Sequence, residues 1–319
     1  ESHREVAGMR LLQKLPQAIC ALGAVFFLAA CHEVDFDGTV ERPAFRENGP
    51  VILFDEGHHN HHSLRSTYAP FAKLLKNDGF EVRKLSGPLS ANDLATGRIL
   101  TIVTAQSDTE TNDAPAFTPG EVGAILSWVR DGGSLLLVTD HYPFPNAVEP
   151  LAAALGLEVA KGMTFDARHF RSGTEDDSRL IFSRENGLLA RHPIIEGRNP
   201  TERVSVVETF TVDAFRPHNA GIQPLLQLAD TAVNRVGRPN VSRQGGDVVV
   251  TVEFGDPVPA SGWVQGAAFG LGRGRVVALA ESAMITAQED GGRKLGMNAP
   301  GNDNRQFLLN VIHWLARVY

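Results

Sequence analysis

The chain has 319 residues, a formal net charge of −7 and 43% hydrophobic residues. That length suits one large α/β domain, or one domain with a sizeable insertion. The acidic balance excludes a nucleic-acid partner, because no basic cluster is dense enough to follow a phosphate backbone.

The first residues read as a targeting segment. Arg10 and Lys14 supply a positive region, and Ile19 to Ala30 supply an apolar run too short to span a bilayer. Residues 1–8 lie upstream of Met9, which reads as the start. The run ends in Leu28-Ala29-Ala30-Cys31, which resembles the lipobox of bacterial lipoproteins. The resemblance implies a signal peptide over 1–31 and lipidation of Cys31, with the membrane as a partner through that lipid. It implies a place in the cell envelope; position 32 is His and not Asp, so in a Gram-negative host it implies the outer membrane, facing the periplasm. Cys20 would leave with the signal peptide, and a mature domain without a free thiol has no disulfide and no cysteine nucleophile. Residues 32–49 are polar and aperiodic and read as a tether.

From residue 50 short apolar runs alternate with amphipathic stretches. Val51-Ile52-Leu53-Phe54 reads as a buried strand, and Tyr68, Phe71, Leu74 and Leu75 recur at helical spacing up to a stop at Asn77-Asp78-Gly79. Glu81 to Leu85 and Ile99 to Val103 read as further strands. Thr118-Pro119-Gly120-Glu121 carries a capping box with Pro at the first helical position. Asp131-Gly132-Gly133 ends that helix, Ser134 to Val138 is a strand, and Ala147 to Leu155 is a helix. The stretch from about 160 to 260 is less regular and reads as the later part of the sheet plus a β-rich insertion. Strand-like pieces there are Val204 to Val207 and Val248 to Phe254. Arg275 to Leu279 is a late buried strand, and Phe307, Leu308, Val311, Ile312 and Leu315 form a closing helix. The rhythm predicts an α/β fold, a flavodoxin-like three-layer sandwich with a mainly parallel sheet.

In such sheets ligands bind beyond the carboxyl ends of the strands. Asp55-Glu56-Gly57-His58-His59-Asn60-His61-His62, Gln106-Ser107-Asp108, Asp140-His141, Glu281-Ser282 and Asn302-Asp303-Asn304 stand at or near such ends. Carboxylates and imidazoles there could ligate a divalent metal, the only cofactor the sequence points to, or serve as acid and base. The candidate metal ligands are Asp55, His58 and Asp140. The candidate catalytic groups are Asp140, His141 and Glu281. The candidate ligand-binding residues are Asn60, Ser107, Asp108, Ser282, Asn302 and Asp303. Gly270-Leu271-Gly272-Arg273-Gly274 precedes a strand, so it reads as a hairpin turn and not a dinucleotide loop. There is no P-loop and no nucleophile elbow of the GxSxG type.

The segment Val51 to His58, and the ending from Gly272 to Leu279 through Asn302-Asp303-Asn304 to Leu315, resemble DUF4350-like domains, which are similar to the class I glutamine amidotransferase-like and ThuA-like fold. The likeness covers roughly 50–160 and 262–316. It implies a 50–319 domain with a divergent centre. The strand that should carry a nucleophilic cysteine runs instead into Asp140-His141, so a glutaminase is not expected. Three functions are then open: a module binding a small polar or carbohydrate ligand, a metal- or carboxylate-dependent hydrolase, and an envelope scaffold using the β-rich region.

Overall fold

The computed structural model describes residues 35–319, apart from 110, 112, 175, 211, 245, 246 and 291. Cys31 and the targeting segment lie outside the described residues. Nine strands form one sheet: β1 (Val51–Asp55), β2 (Glu81–Leu85), β3 (Ile99–Val103), β4 (Ser134–Val138), β5 (Leu157–Val159), β6 (Phe215–Pro217), β7 (Gln223–Gln227), β8 (Val264–Leu271) and β9 (Gly274–Leu279). Their order is β2-β1-β3-β4-β9-β8-β6-β5, with β7 also pairing β8. The first five run parallel. The rest are added antiparallel. The chain steps outward from β1 to β2, then crosses back to β3. This places a topological switch between β1 and β3, where open α/β sheets take their ligands.

Alternate residues of these strands face opposite layers. Ile52, Phe54, Val103, Leu136, Val138, Val277 and Leu279 pack with the first layer. That layer holds helices α1 (Ala69–Asn77) and α6 (Asn304–Leu315). Leu53, Leu100, Ile102, Leu135, Leu137, Val276 and Ala278 pack on the other side. That layer holds α2 (Ala91–Leu94), α3 (Pro119–Arg130) and α4 (Phe144–Ala154). Both faces being covered explains the near-continuous apolar runs. A short helix, α5 (Pro193–Glu196), packs against α6.

Local signals act as their chemistry dictates. Thr118 accepts from the Glu121 N–H while the Glu121 carboxylate accepts from the Thr118 N–H, completing the capping box. α4 begins a turn earlier than its spacing predicts, because Pro145 lies in a first turn that needs no proline N–H. Gly270 to Gly274 is the β8–β9 turn, with Gly272 at φ +58° and room for no Cβ beside the Arg130 backbone. In the central region Gly162–Phe165, Val233–Gln244, Asp247–Phe254 and Val258–Pro259 form a second sheet. The strand predicted over 204–207 is Val206–Glu208, paired with Ile181–Ser183. No helix of the described residues is long and apolar enough to cross a membrane.

One expectation is corrected. The described part of the proposed tether, residues 35–49, is a strap docked on α1. Phe36 is buried, and its carbonyl accepts from Lys73 Nζ at 2.8 Å. The Gly38 carbonyl accepts from Asn77 Nδ2 at 2.8 Å. Ala44 N–H donates to Asp78 Oδ1 at 2.8 Å, and Phe45 meets Phe80 edge-on at 5.1 Å. Gly79, at φ +91°, leaves the room the strap needs, since a Cβ there would sit 1.9 Å from the Phe45 carbonyl oxygen. Polar composition concealed two aromatic anchors.

Candidate functional site

The predicted residues do gather at the carboxyl ends of β1, β3, β4 and β9, but they divide into groups with different work. At the end of β1, Asp55 is fully buried and accepts from Gly57 N–H at 3.1 Å and from Asn60 Nδ2 at 3.3 Å. The His58 ring lies between two carboxylates, with Nδ1 at 2.9 and 3.0 Å from Asp55 and Nε2 at 2.9 Å from Glu121. Burial alone would lower the His58 pKa, but Asp55 and Glu121 raise it. Carboxylates accept, so both ring nitrogens carry protons. Glu121 is likewise penalised by burial, yet bonds from Thr118, Leu89 and His58 hold it at about 2.

This triad closes off part of the metal expectation. His58 has no nitrogen left for an ion, and Asp55 is committed to His58, Gly57 and Asn60. Among the described residues no group of three or more His, Cys, Asp or Glu is arranged to hold a metal ion. Asn60 is not open to a ligand either. Its Oδ1 accepts from His58 N–H and its Nδ2 donates to the Val103 carbonyl, which ties the β1 loop to β3.

A second group surrounds Asp140. Its Oδ2 accepts from the Ser282 backbone N–H at 3.1 Å and from the Ser282 hydroxyl. Its Oδ1 accepts from the His141 N–H at 2.7 Å. His62 Nε2 lies 3.1 Å from Ser282 Oγ, and His62 Nδ1 lies 2.5 Å from Thr67 Oγ1. Burial, with His61 adding to it, lowers the His62 pKa to about 3, so the ring is neutral. Since Ser282 gives its proton to Asp140, His62 Nε2–H donates to Ser282 and Thr67 donates to Nδ1. The relay runs Thr67 to His62 to Ser282 to Asp140. It is not a nucleophile triad, because no histidine takes the serine proton.

Beside this relay lie His61 and half-buried His141, which flank the Phe144 ring at 5.6 and 5.7 Å. Desolvation lowers the His61 pKa against the pull of Asp140. His141 Nδ1 donates to the Tyr142 carbonyl at 2.7 Å. Glu281 is fully buried and accepts from Ala283 and Met284 N–H, both at 2.6 Å. Burial and the Asp140 charge push its carboxyl well above the usual range, and it caps the turn that follows β9.

Two residues here were invisible in the sequence. Thr104 follows β3 at φ +40°, a conformation that costs a β-branched residue on the order of 1–3 kcal/mol. Its N–H donates to the Val138 carbonyl and its carbonyl accepts from His61 N–H. Thr139 follows β4 on the neighbouring strand. The hydroxyls of both are buried without a hydrogen-bond partner among the described residues. Thr101 shares that state but lies mid-strand, away from the rim.

The remaining candidates are placed as follows. Ser107 is buried, with Oγ 2.8 Å from Thr109 Oγ1, and Asp108 is exposed. Asn302 and Asp303 serve the fold. Asp303 Oδ2 accepts from Ser205 and Val206 N–H, and Asn302 Nδ2 donates to Glu208 and to the Gly296 carbonyl. They fasten the start of α6 to the Val206–Glu208 strand. A shallow cleft lined by Arg46, Lys76 and Glu81 lies at the opposite end of β2 and includes none of these residues.

No family model matches the chain, and no curated protein matches it. Among solved structures it is similar to the mmIFT52 N-terminal domain, at 12% identity and a TM-score of 0.55, covering 83% of this chain and 97% of that one. Weaker likenesses are to a ThuA-like protein from Parabacteroides merdae, at 12% identity and TM-score 0.44, covering 84% and 90%. Another is to a GMP synthase protein from Thermoplasma acidophilum, at 11% identity and TM-score 0.42, covering 85% and 96%. At such identity the likeness is one of fold and carries no function.

Proposed function

We propose that the protein is a lipid-anchored envelope protein that binds a small polar or carbohydrate ligand at the carboxyl ends of β3 and β4. One observation carries the binding part: the Thr104 and Thr139 hydroxyls are buried without partners on adjacent strand ends. Each such group costs about 1–3 kcal/mol while unpaired. A ligand hydroxyl reaching between them would remove that cost. Asp140 supplies a carboxylate acceptor and His61 and His141 supply imidazoles, which suits the hydroxyl-bearing edge of a sugar. The anchor is proposed on Leu28-Ala29-Ala30-Cys31.

The hydrolase reading draws less support. The Ser282 proton is given to Asp140, Glu281 is held as a cap, and His58 is locked between carboxylates. Saturation-transfer NMR of the purified protein against glycerol, glucose, galactose, mannose and N-acetylglucosamine tests the binding reading. At least one probe binds, and Asp140→Asn removes its signal. No transfer from any probe overturns the proposal.

A further inference from the structure

The docked strap decides which end of the domain an N-terminal lipid would hold. Along α1 the strap runs from the Lys73 contact at Phe36 to the Asp78 contacts at Ala44 and Phe45. Traced backward, it heads toward the start of α1. That start is at the strand-end rim, where Tyr68 donates its hydroxyl to the Ser282 carbonyl at 2.8 Å. At the head of the strap the Asp35 carbonyl accepts from Asn298 Nδ2 at 3.2 Å. Asn298 belongs to the loop between β9 and α6, and its neighbour Met297 donates its N–H to the Thr286 carbonyl at 2.7 Å, just beyond Ser282. The first described residue is therefore fastened at the same end as Asp140.

We infer that the domain stands on the membrane with its strand-end rim toward the bilayer, so that the candidate site takes polar headgroups displayed at the lipid surface. The inference rests on the proposed lipidation of Cys31. Four Cα steps separate Cys31 from Asp35, a reach of at most about 14 Å. A domain of this size has a radius of gyration of about 19 Å. The leash is shorter than that, so the opposite end, at the β8–β9 turn, cannot swing onto the bilayer. Had residues 32–49 been a free tether, the reach would have been several-fold longer and neither end would have been favoured.

The full chain, processed in a bacterial host and reconstituted into phosphatidylethanolamine–phosphatidylglycerol vesicles carrying a rhodamine-labelled lipid, tests this. Single cysteines replace exposed Lys294 at the rim end (K294C) or Arg273 at the opposite end (R273C), and each carries a donor fluorophore. Energy transfer to the bilayer is expected to be at least threefold higher from position 294. Inserting about twenty Gly/Ser residues between 34 and 35 adds a mean span of about 25 Å and erases the difference. Equal transfer from both positions without the insertion, or higher transfer from 273, overturns the orientation while leaving the anchor intact. Failure of the unmodified chain to float with vesicles, to the same degree as Cys31→Ala, overturns the anchor and the inference with it.

Discussion

The Ser282 hydroxyl donates to the Asp140 carboxylate across the ends of β9 and β4, while His62 stands behind the serine as a neutral donor. A serine, a histidine and an aspartate thus meet on the rim in an order that spends the serine proton on the acid. The relay fixes Asp140 and does not activate Ser282. Ser282→Ala should leave Asp140 short of one donor and His62 Nε2–H without its acceptor. Urea denaturation should read a loss of about 1–3 kcal/mol. An unchanged midpoint would mean the relay does not form.

His58 and His62 should contribute to stability with opposite pH dependence. The folded pKa of His58 is raised by Asp55 and Glu121 against burial, so its contribution is full below the unfolded value of about 6.5 and fades as pH rises through the folded value. The folded pKa of His62 is lowered to about 3 by burial, so keeping it neutral costs stability as pH falls below 6.5 toward 3. The stability loss of His58→Gln relative to wild type should be larger at pH 5.5 than at pH 8.5. His62→Gln should cost less at pH 5.5 than at pH 8.5. Parallel pH profiles for the two variants would contradict the assigned protonation states.

Phe36→Ala tests the strap. The side chain is 4% exposed and packs in the layer with Phe71 and Leu74. Its removal should cost about 3 kcal/mol, as for other buried phenylalanines. A residue in a free tether would lose nothing measurable by thermal unfolding.

Thr104→Gly separates strain from use. Glycine accepts φ +40° without penalty, so chemical denaturation should find the variant as stable as wild type or up to about 1 kcal/mol more stable. The same change removes a hydroxyl from the proposed site, and probe binding should weaken. A large loss of stability would mean the side chain has a structural partner.

Much of the sheet was legible because strands buried on both faces announce themselves as continuous apolar runs. β1, β3 and β4 fall where the runs lie, and the Thr118 box and the Gly272 turn carry their own chemistry. The strand-end positions of Asp55, Asp140 and Glu281 were legible in the sequence. Their roles were not, because a role depends on partners distant in sequence. Glu121 reaches His58 from a different layer, and Ser282 reaches His62 across 220 residues. The docked strap depends on Phe36 and Phe45 inside a polar stretch, where no periodicity marks them. The strain at Thr104 has no sequence signal, since threonine follows many strands in ordinary conformations.

The most direct test of the site is the affinity of the bound probe for a Thr104→Val/Thr139→Val double variant, measured by isothermal titration. Valine keeps the shape and removes two unpaired buried hydroxyls, so stability should hold or rise. Affinity should fall at least tenfold, about 1.4 kcal/mol, because the ligand loses both partners. Affinity equal to wild type would contradict the account and leave the two hydroxyls as features of the fold alone.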